Sequence, residues 1–165
     1  MNYKKIGFGA AALASATTLA FAGTAQAATA VEGTPTKDYQ LCGTVYEGAA
    51  GDWVANTPVP LSKTGVGGVD VTGVLTGNTP WTDTVTTAPD GTFCLDGTLS
   101  MALDVQFGGA YVTLSVKPAT LPAGKSVTSS NPWADGGSSQ INSSVFNAHQ
   151  HPTKNSAWGF YFTVN

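Results

Sequence analysis

Arginine is absent, and charged residues of any kind make up only 10% of the 165 residues. An ordinary globular protein carries about 25%. So few charges exclude a disordered polyelectrolyte. A net charge of −3 and the absence of a basic patch argue against nucleic acid as a partner. Cysteine and histidine are equally sparse, with two of each. After residue 27 the chain holds only two Glu and one Ile, and good helix formers are scarce. No stretch beyond that point has the ~20 apolar residues of a membrane span. No repeat appears at solenoid or propeller periods. The length suits a single domain.

What is present begins with an address. Lys4 and Lys5 precede an apolar, small-residue stretch from Ile6 to Ala22, and Ala25-Gln26-Ala27 forms an A-x-A site. Residues 1–27 therefore read as a secretory signal peptide, and the expected location is secreted, extracellular or attached to the cell envelope. Cleavage removes both leader lysines and leaves five Lys against ten acids, a charge of −5. Residues 28–38 read as a flexible N-terminal segment and residues 39–165 as one β domain. Leu121-Pro122-Ala123-Gly124 is close to a sortase signal but lacks its Thr, and no hydrophobic tail follows.

The mature portion is rich in Thr (20), Gly (17) and Val (15). Thr and Val are stiff at the first side-chain torsion and suit strands. Period-two alternation marks four runs. Leu41, Gly43 and Val45 alternate with Cys42, Thr44 and Tyr46. Leu99, Met101, Leu103 and Val105 alternate with Ser100, Ala102 and Asp104. Val112, Leu114 and Val116 alternate with Tyr111, Thr113 and Ser115. Trp158, Phe160, Phe162 and Val164 alternate with Gly159, Tyr161 and Thr163. Turn signals such as Asp90-Gly91, Asp96-Gly97 and Gly108-Gly109 separate them. No helical pattern is evident after residue 30. Residues 126–144, rich in Ser, Asn and Gly, read as a long surface loop. In an exported chain Cys42 and Cys94 are expected to form a disulfide.

Residues 39–118 resemble the prealbumin-like β-sandwich modules of secreted and surface proteins: the Cna B-type, SdrD B-like and carboxypeptidase regulatory-like domains. The resemblance rests on Leu41-Cys42-Gly43-Thr44-Val45, Thr57-Pro58-Val59-Pro60-Leu61, Thr86 through Phe93 with its Asp90-Gly91 turn, and Gly109-Ala110-Tyr111-Val112-Thr113-Leu114-Ser115-Val116. It implies a single all-β, Ig-like Greek-key sandwich of seven to nine strands. Cna B-type modules often join a first-strand Lys to a last-strand Asn or Asp. Here the only such pairing would be Lys37 with Asn165, and the disulfide takes the place of that fastening. SdrD-like modules often bind calcium in an acid-rich first loop, which here holds only Glu47 and Asp52.

Candidate chemistry is thin. His149-Gln150-His151 places two imidazoles at i and i+2, on one face if the chain is extended, which suits a metal; a plain polar loop ahead of Pro152 has the same sequence. G-x-S-x-G, S-x-x-K and H-E-x-x-H are all missing, although paired carboxylates among eight aspartates remain open. Trp158 alternates with Phe160 and Phe162 and reads as core. Trp53, Trp81 and Trp133 sit in Pro- or Gly-flanked segments. They suit stacking on sugar rings or filling a partner's pocket, or else capping an open end of the sandwich. The expectation is a non-enzymatic exported module without a cofactor. It would act in cell-surface adhesion or extracellular ligand binding, on a protein or carbohydrate ligand. The alternatives are a self-associating structural subunit, with residues 28–38 as a donated strand, or a metal-binding protein or enzyme using His149 and His151.

Overall fold

Strands rich in Thr, Val and aromatics bury one face and must find a second layer to cover it. The computed structural model, which describes residues 28–49, 62–129 and 140–165, supplies that layer as a second sheet. The expected leader 1–27 lies outside the described residues. Eight strands occur among the described residues: β1 (Gln40–Glu47), β2 (Asp70–Thr76), β3 (Thr82–Thr86), β4 (Thr92–Asp96), β5 (Tyr111–Val116), β6 (Val127–Ser129), β7 (Gln140–Ile141) and β8 (Ala157–Val164). They form two four-stranded sheets, β4-β1-β8-β6 and β3-β2-β5-β7. β1 and β8 run parallel; the other named pairs are antiparallel. The protein is an all-β sandwich with a disulfide.

The core fills the space between the sheets. Leu41 and Val45 of β1, Phe93 and Leu95 of β4, and Phe160, Phe162 and Val164 of β8 face Val71, Leu75, Val112, Leu114 and Ile141 from the second sheet. The turn from β3 to β4 carries the chain from one sheet to the other. It needs Gly91, whose φ of 84° is open only to glycine at low cost and whose Cβ would meet the Val45 carbonyl. Cys42 stands directly opposite Cys94 across β1 and β4, with Cα atoms 4.1 Å apart, and the two form the expected disulfide.

Three expectations are corrected. The Leu99–Phe107 run is not a strand but a helix, α1. Thr98 caps its start by accepting from the Met101 N–H, and Gly108 ends it. Met101, Ala102 and Val105 turn inward, while Leu99, Leu103 and Phe107 form an exposed row at helical spacing. Period-two alternation was thus shared between two helix faces. Second, residues 126–144 are not one loop. They contain β6, β7 and the first turn of a short helix, α2 (Ser143–Ala148), capped by Asn142; residues 130–139 lie outside the described set. Third, Trp158 does not share a face with Phe160. Gly159, at φ 84°, makes a bulge where Leu41 pairs with Ala157 but Gly43 already pairs with Phe160. The phase slips, Ala157 and Phe160 both enter the core, and Trp158 is left half-buried at the rim.

Residues 28–38, read from sequence as a flexible lead-in, lie as a strap across the outer face of the first sheet. Ala30 is fully buried against Tyr46 and Tyr161. Ala30 N–H donates to Lys63 O, and the Ala28 carbonyl accepts from Gly65 N–H, both at 2.8 Å. Thr44 Oγ1 donates to Val31 O at 2.7 Å, and Tyr161 Oη donates to Glu32 Oε1 at 2.6 Å. The first sheet is therefore covered on both faces, which is why every residue of β1 from Gln40 to Tyr46 is buried. Lys37 is held at the Gln40 end of this sheet by Asp96, at 2.9 Å. Asn165 follows Val164 at the Glu47 end, a strand length away. Geometry thus separates the two residues that a Lys37–Asn165 crosslink would need.

Candidate binding surfaces

Among the described residues, the second sheet keeps one face open. Strand alternation sends Thr72, Val74 and Thr76 of β2, Thr82, Thr84 and Thr86 of β3, and Tyr111, Thr113 and Ser115 of β5 outward. Register sets them in rows: Thr84 beside Thr72 beside Ser115, then Thr82 beside Val74 beside Thr113, which pairs in turn with Gln140. All are uncharged. Thr72 and Thr84 share a hydroxyl–hydroxyl bond of 2.9 Å. The charge lies at one corner, where Asp70 accepts from Thr86 Oγ1 at 2.8 Å and faces Lys117 at 3.7 Å. Each hydroxyl offers a donor and two acceptor lone pairs beside a methyl group. Strands ~4.8 Å apart carry them as a shallow lattice, suited to an extended partner rather than to a small molecule, which needs a concavity. Sequence reading missed this face. The signal was present in Thr82-Asp83-Thr84-Val85-Thr86, where alternate threonines mark a strand whose outward side is all hydroxyl.

Trp81 is placed between elements rather than on a free loop. Its indole lies over Gly73, where a Cβ would come within 3.0 Å of the ring, and it packs against the core cluster. Its Nε1–H donates to Asp96 O at 3.1 Å. The ring is half-buried and bridges β2 and the end of β4. Trp53 and Trp133 lie outside the described residues.

The histidines take separate partners. His149 closes α2 and is buried, its ring 5.3 Å from Phe160 and its Nδ1 2.9 Å from Trp158 O. Burial pushes its pKa below the ordinary histidine value, against a smaller opposing effect of the Trp158 carbonyl. His151 is half-buried beside Trp158, with Nδ1 accepting from Thr153 N–H at 3.2 Å. An open depression of about 560 Å³ lies next to it, lined by Asn147, Gln150 and residues 152–155. Among the described residues no group of three or more His, Cys, Asp and Glu is arranged to hold a metal. In the first loop, Glu47 pairs with Lys125 at 3.1 Å, and Asp52 lies outside the described residues.

A second depression, about 550 Å³, runs between the strap and the edges of β3 and β4. The β4 edge is already engaged. Thr92 N–H donates to Asp90 Oδ1, and Thr92 O accepts from Ala88 N–H. Asp96 N–H donates to Asp83 Oδ2, and Asp96 O accepts from Trp81. The Asp96 carboxylate is held below its usual pKa by hydrogen bonds from Lys37 and Gln40. With the outward main-chain groups of Thr92 and Asp96 spoken for, both ends of this edge are poor templates for strand addition.

No protein-family model, curated protein or solved structure matches this chain. Among the described residues no helix is long and apolar enough to cross a membrane.

Proposed function

We propose that the chain is an exported, non-enzymatic module of the prealbumin-like kind. It acts at the cell surface or in the medium by adhesion to a neutral, hydroxyl-rich polymer such as a polysaccharide. The observation that carries this reading is the contrast between the two sheets. The first is sealed on both faces, whereas the second presents Thr72, Thr84, Thr113 and Ser115 as an uncharged hydroxyl face. Such a surface contributes many weak hydrogen bonds, direct or through water, and no long-range Coulomb attraction. The disulfide supports the extracellular setting. The leader motif at residues 1–27 supports export.

The test is co-sedimentation of the full chain with insoluble neutral polysaccharides, at low and high salt. Binding is expected to be nearly independent of salt. A Thr84→Glu, Thr113→Glu pair puts two buried-on-docking charges on the face, and should weaken binding by tenfold or more without changing the circular dichroism. Equal retention of wild type and variant, or no retention of either, would reject this face as the binding surface.

A further inference from the structure

We propose that residues 28–38 exchange between two copies of this chain, each strap seating on the other copy's first sheet in a closed, reciprocal dimer. Three observations converge on this. The strap's seat is specific: at Gly33 a Cβ would run into the Gly43 carbonyl, and Gly33 N–H donates to Thr44 Oγ1 at 3.2 Å. Val31 O, Glu32 and Ala30 add the bonds and burial already described. The occupant must therefore carry this segment's own sequence, and a second copy offers it unchanged.

The second observation is the hinge. The strap doubles back on β1 through a tight turn at residues 36–39, and Tyr39 sits there at φ 65°. Tyr39 is the only non-glycine residue at positive φ among those described. A bulky L-residue pays for the left-handed conformation, and an opened, extended hinge removes that cost. Short hinges under strain invite exchange. Opening at Tyr39 gives up two main-chain bonds of 2.8 Å each, Tyr39 N–H to Asn155 O and Gly97 N–H to Tyr39 O. The bonds made by residues before it, including Ser156 Oγ to Lys37 O at 2.8 Å and Asn155 N–H to Asp38 Oδ1 at 2.9 Å, re-form on the partner copy.

The third is the engagement of the β4 edge at both its ends, Thr92 and Asp96, which disfavours simple edge-to-edge association on that side. Exchange of the strap leaves the outer face of the second sheet uncovered. The dimer then carries two such faces on one particle, which raises avidity for a polymer without any new contact. The dimer itself does not depend on the polymer-binding reading.

The experiment refolds the full disulfide-bonded chain at high concentration as an equal mixture of isotope-labelled and unlabelled protein, followed by light scattering and native mass spectrometry. Dimers containing one copy of each kind are expected, and on dilution they should exchange subunits slowly. Tyr39→Gly accepts the hinge conformation freely. It should move the equilibrium toward monomer by about fivefold per hinge, roughly twenty-five-fold for the pair. Tyr39→Pro forbids positive φ and should move it toward dimer. A wild type that stays monomeric throughout, or a dimer whose stability Tyr39→Gly leaves unchanged, overturns the proposal even if Tyr39→Pro does not fold. A monomer that still binds polysaccharide fails this inference alone; a dimer that binds none fails the adhesion reading alone.

Discussion

Breaking the Cys42–Cys94 bridge is the perturbation whose size the structure sets best. The bond ties residues separated by 52 positions. On the chain-entropy relation, releasing a loop of that length returns about 14 cal/mol/K to the unfolded chain, or about 4 kcal/mol at room temperature. For a domain of this size each kcal/mol moves the melting temperature by roughly 3–4 °C, so reduction should lower it by about 12–16 °C. Reduced wild type is the cleaner comparison. It keeps both sulfurs, whereas a Cys42→Ala, Cys94→Ala double variant also empties space beneath the strap, where Cys94 Sγ lies 3.7 Å from Thr34 O. Calorimetry and urea unfolding should be run on the oxidised and reduced chains. The urea slope should rise on reduction, because an uncrosslinked unfolded chain exposes more surface. A fall in melting temperature below about 4 °C, with an unchanged slope, would refute the entropic reasoning. It would mean that β1 and β4 are held in register by packing and ladder bonds alone.

Three further outcomes are expected. Gly33→Ala should lift the strap while leaving the inter-sheet core intact, so trypsin should cut after Lys37 much faster than in wild type; an unchanged cutting rate would place the strap elsewhere. Stability should fall as pH drops below about 6.5, because His149 is held neutral by burial in the folded chain and takes up a proton more readily once unfolded. Above that pH its contribution is fully present, and His149→Gln should flatten this part of the urea-midpoint profile; parallel profiles would exclude His149 as the cause. Thr98→Ala removes the α1 cap and should cost about 1 kcal/mol, read from the same unfolding curves.

Residues whose alternation is unbroken were legible in the sequence. β1, β5 and the part of β8 from Phe160 onward lie where period two put them. Alternation failed where another constraint competed with it. In α1 the caps, Thr98 ahead and Gly108-Gly109 behind, outweighed a period-two run that also fits two sides of a helix. At Gly159 one bulge shifted the phase and turned Trp158 from core to rim. The strap was illegible for a different reason. Its polar, Pro-containing sequence carries no period, and its place is set by a glycine contact and by side chains more than a hundred positions away, such as Tyr161 for Glu32. The hydroxyl face was countable but not locatable, since composition reports threonines and only register puts Thr72 beside Thr84 and Ser115.

The parallel pairing of β1 with β8 governs when the molecule can fold. β8 sits inside the first sheet, between β1 and β6, and bonds such as Gln40 N–H to Ser156 Oγ join positions 116 apart in the chain. Contacts of such span raise the contact order and slow folding to the millisecond-to-second range typical of all-β domains. Until Phe160 and Phe162 arrive, Leu41, Val45 and Phe93 lack the strand that completes their layer. A partly synthesised chain therefore stays open and dependent on protection from aggregation. For a protein read as exported, that delay keeps the chain threadable until β8 is available.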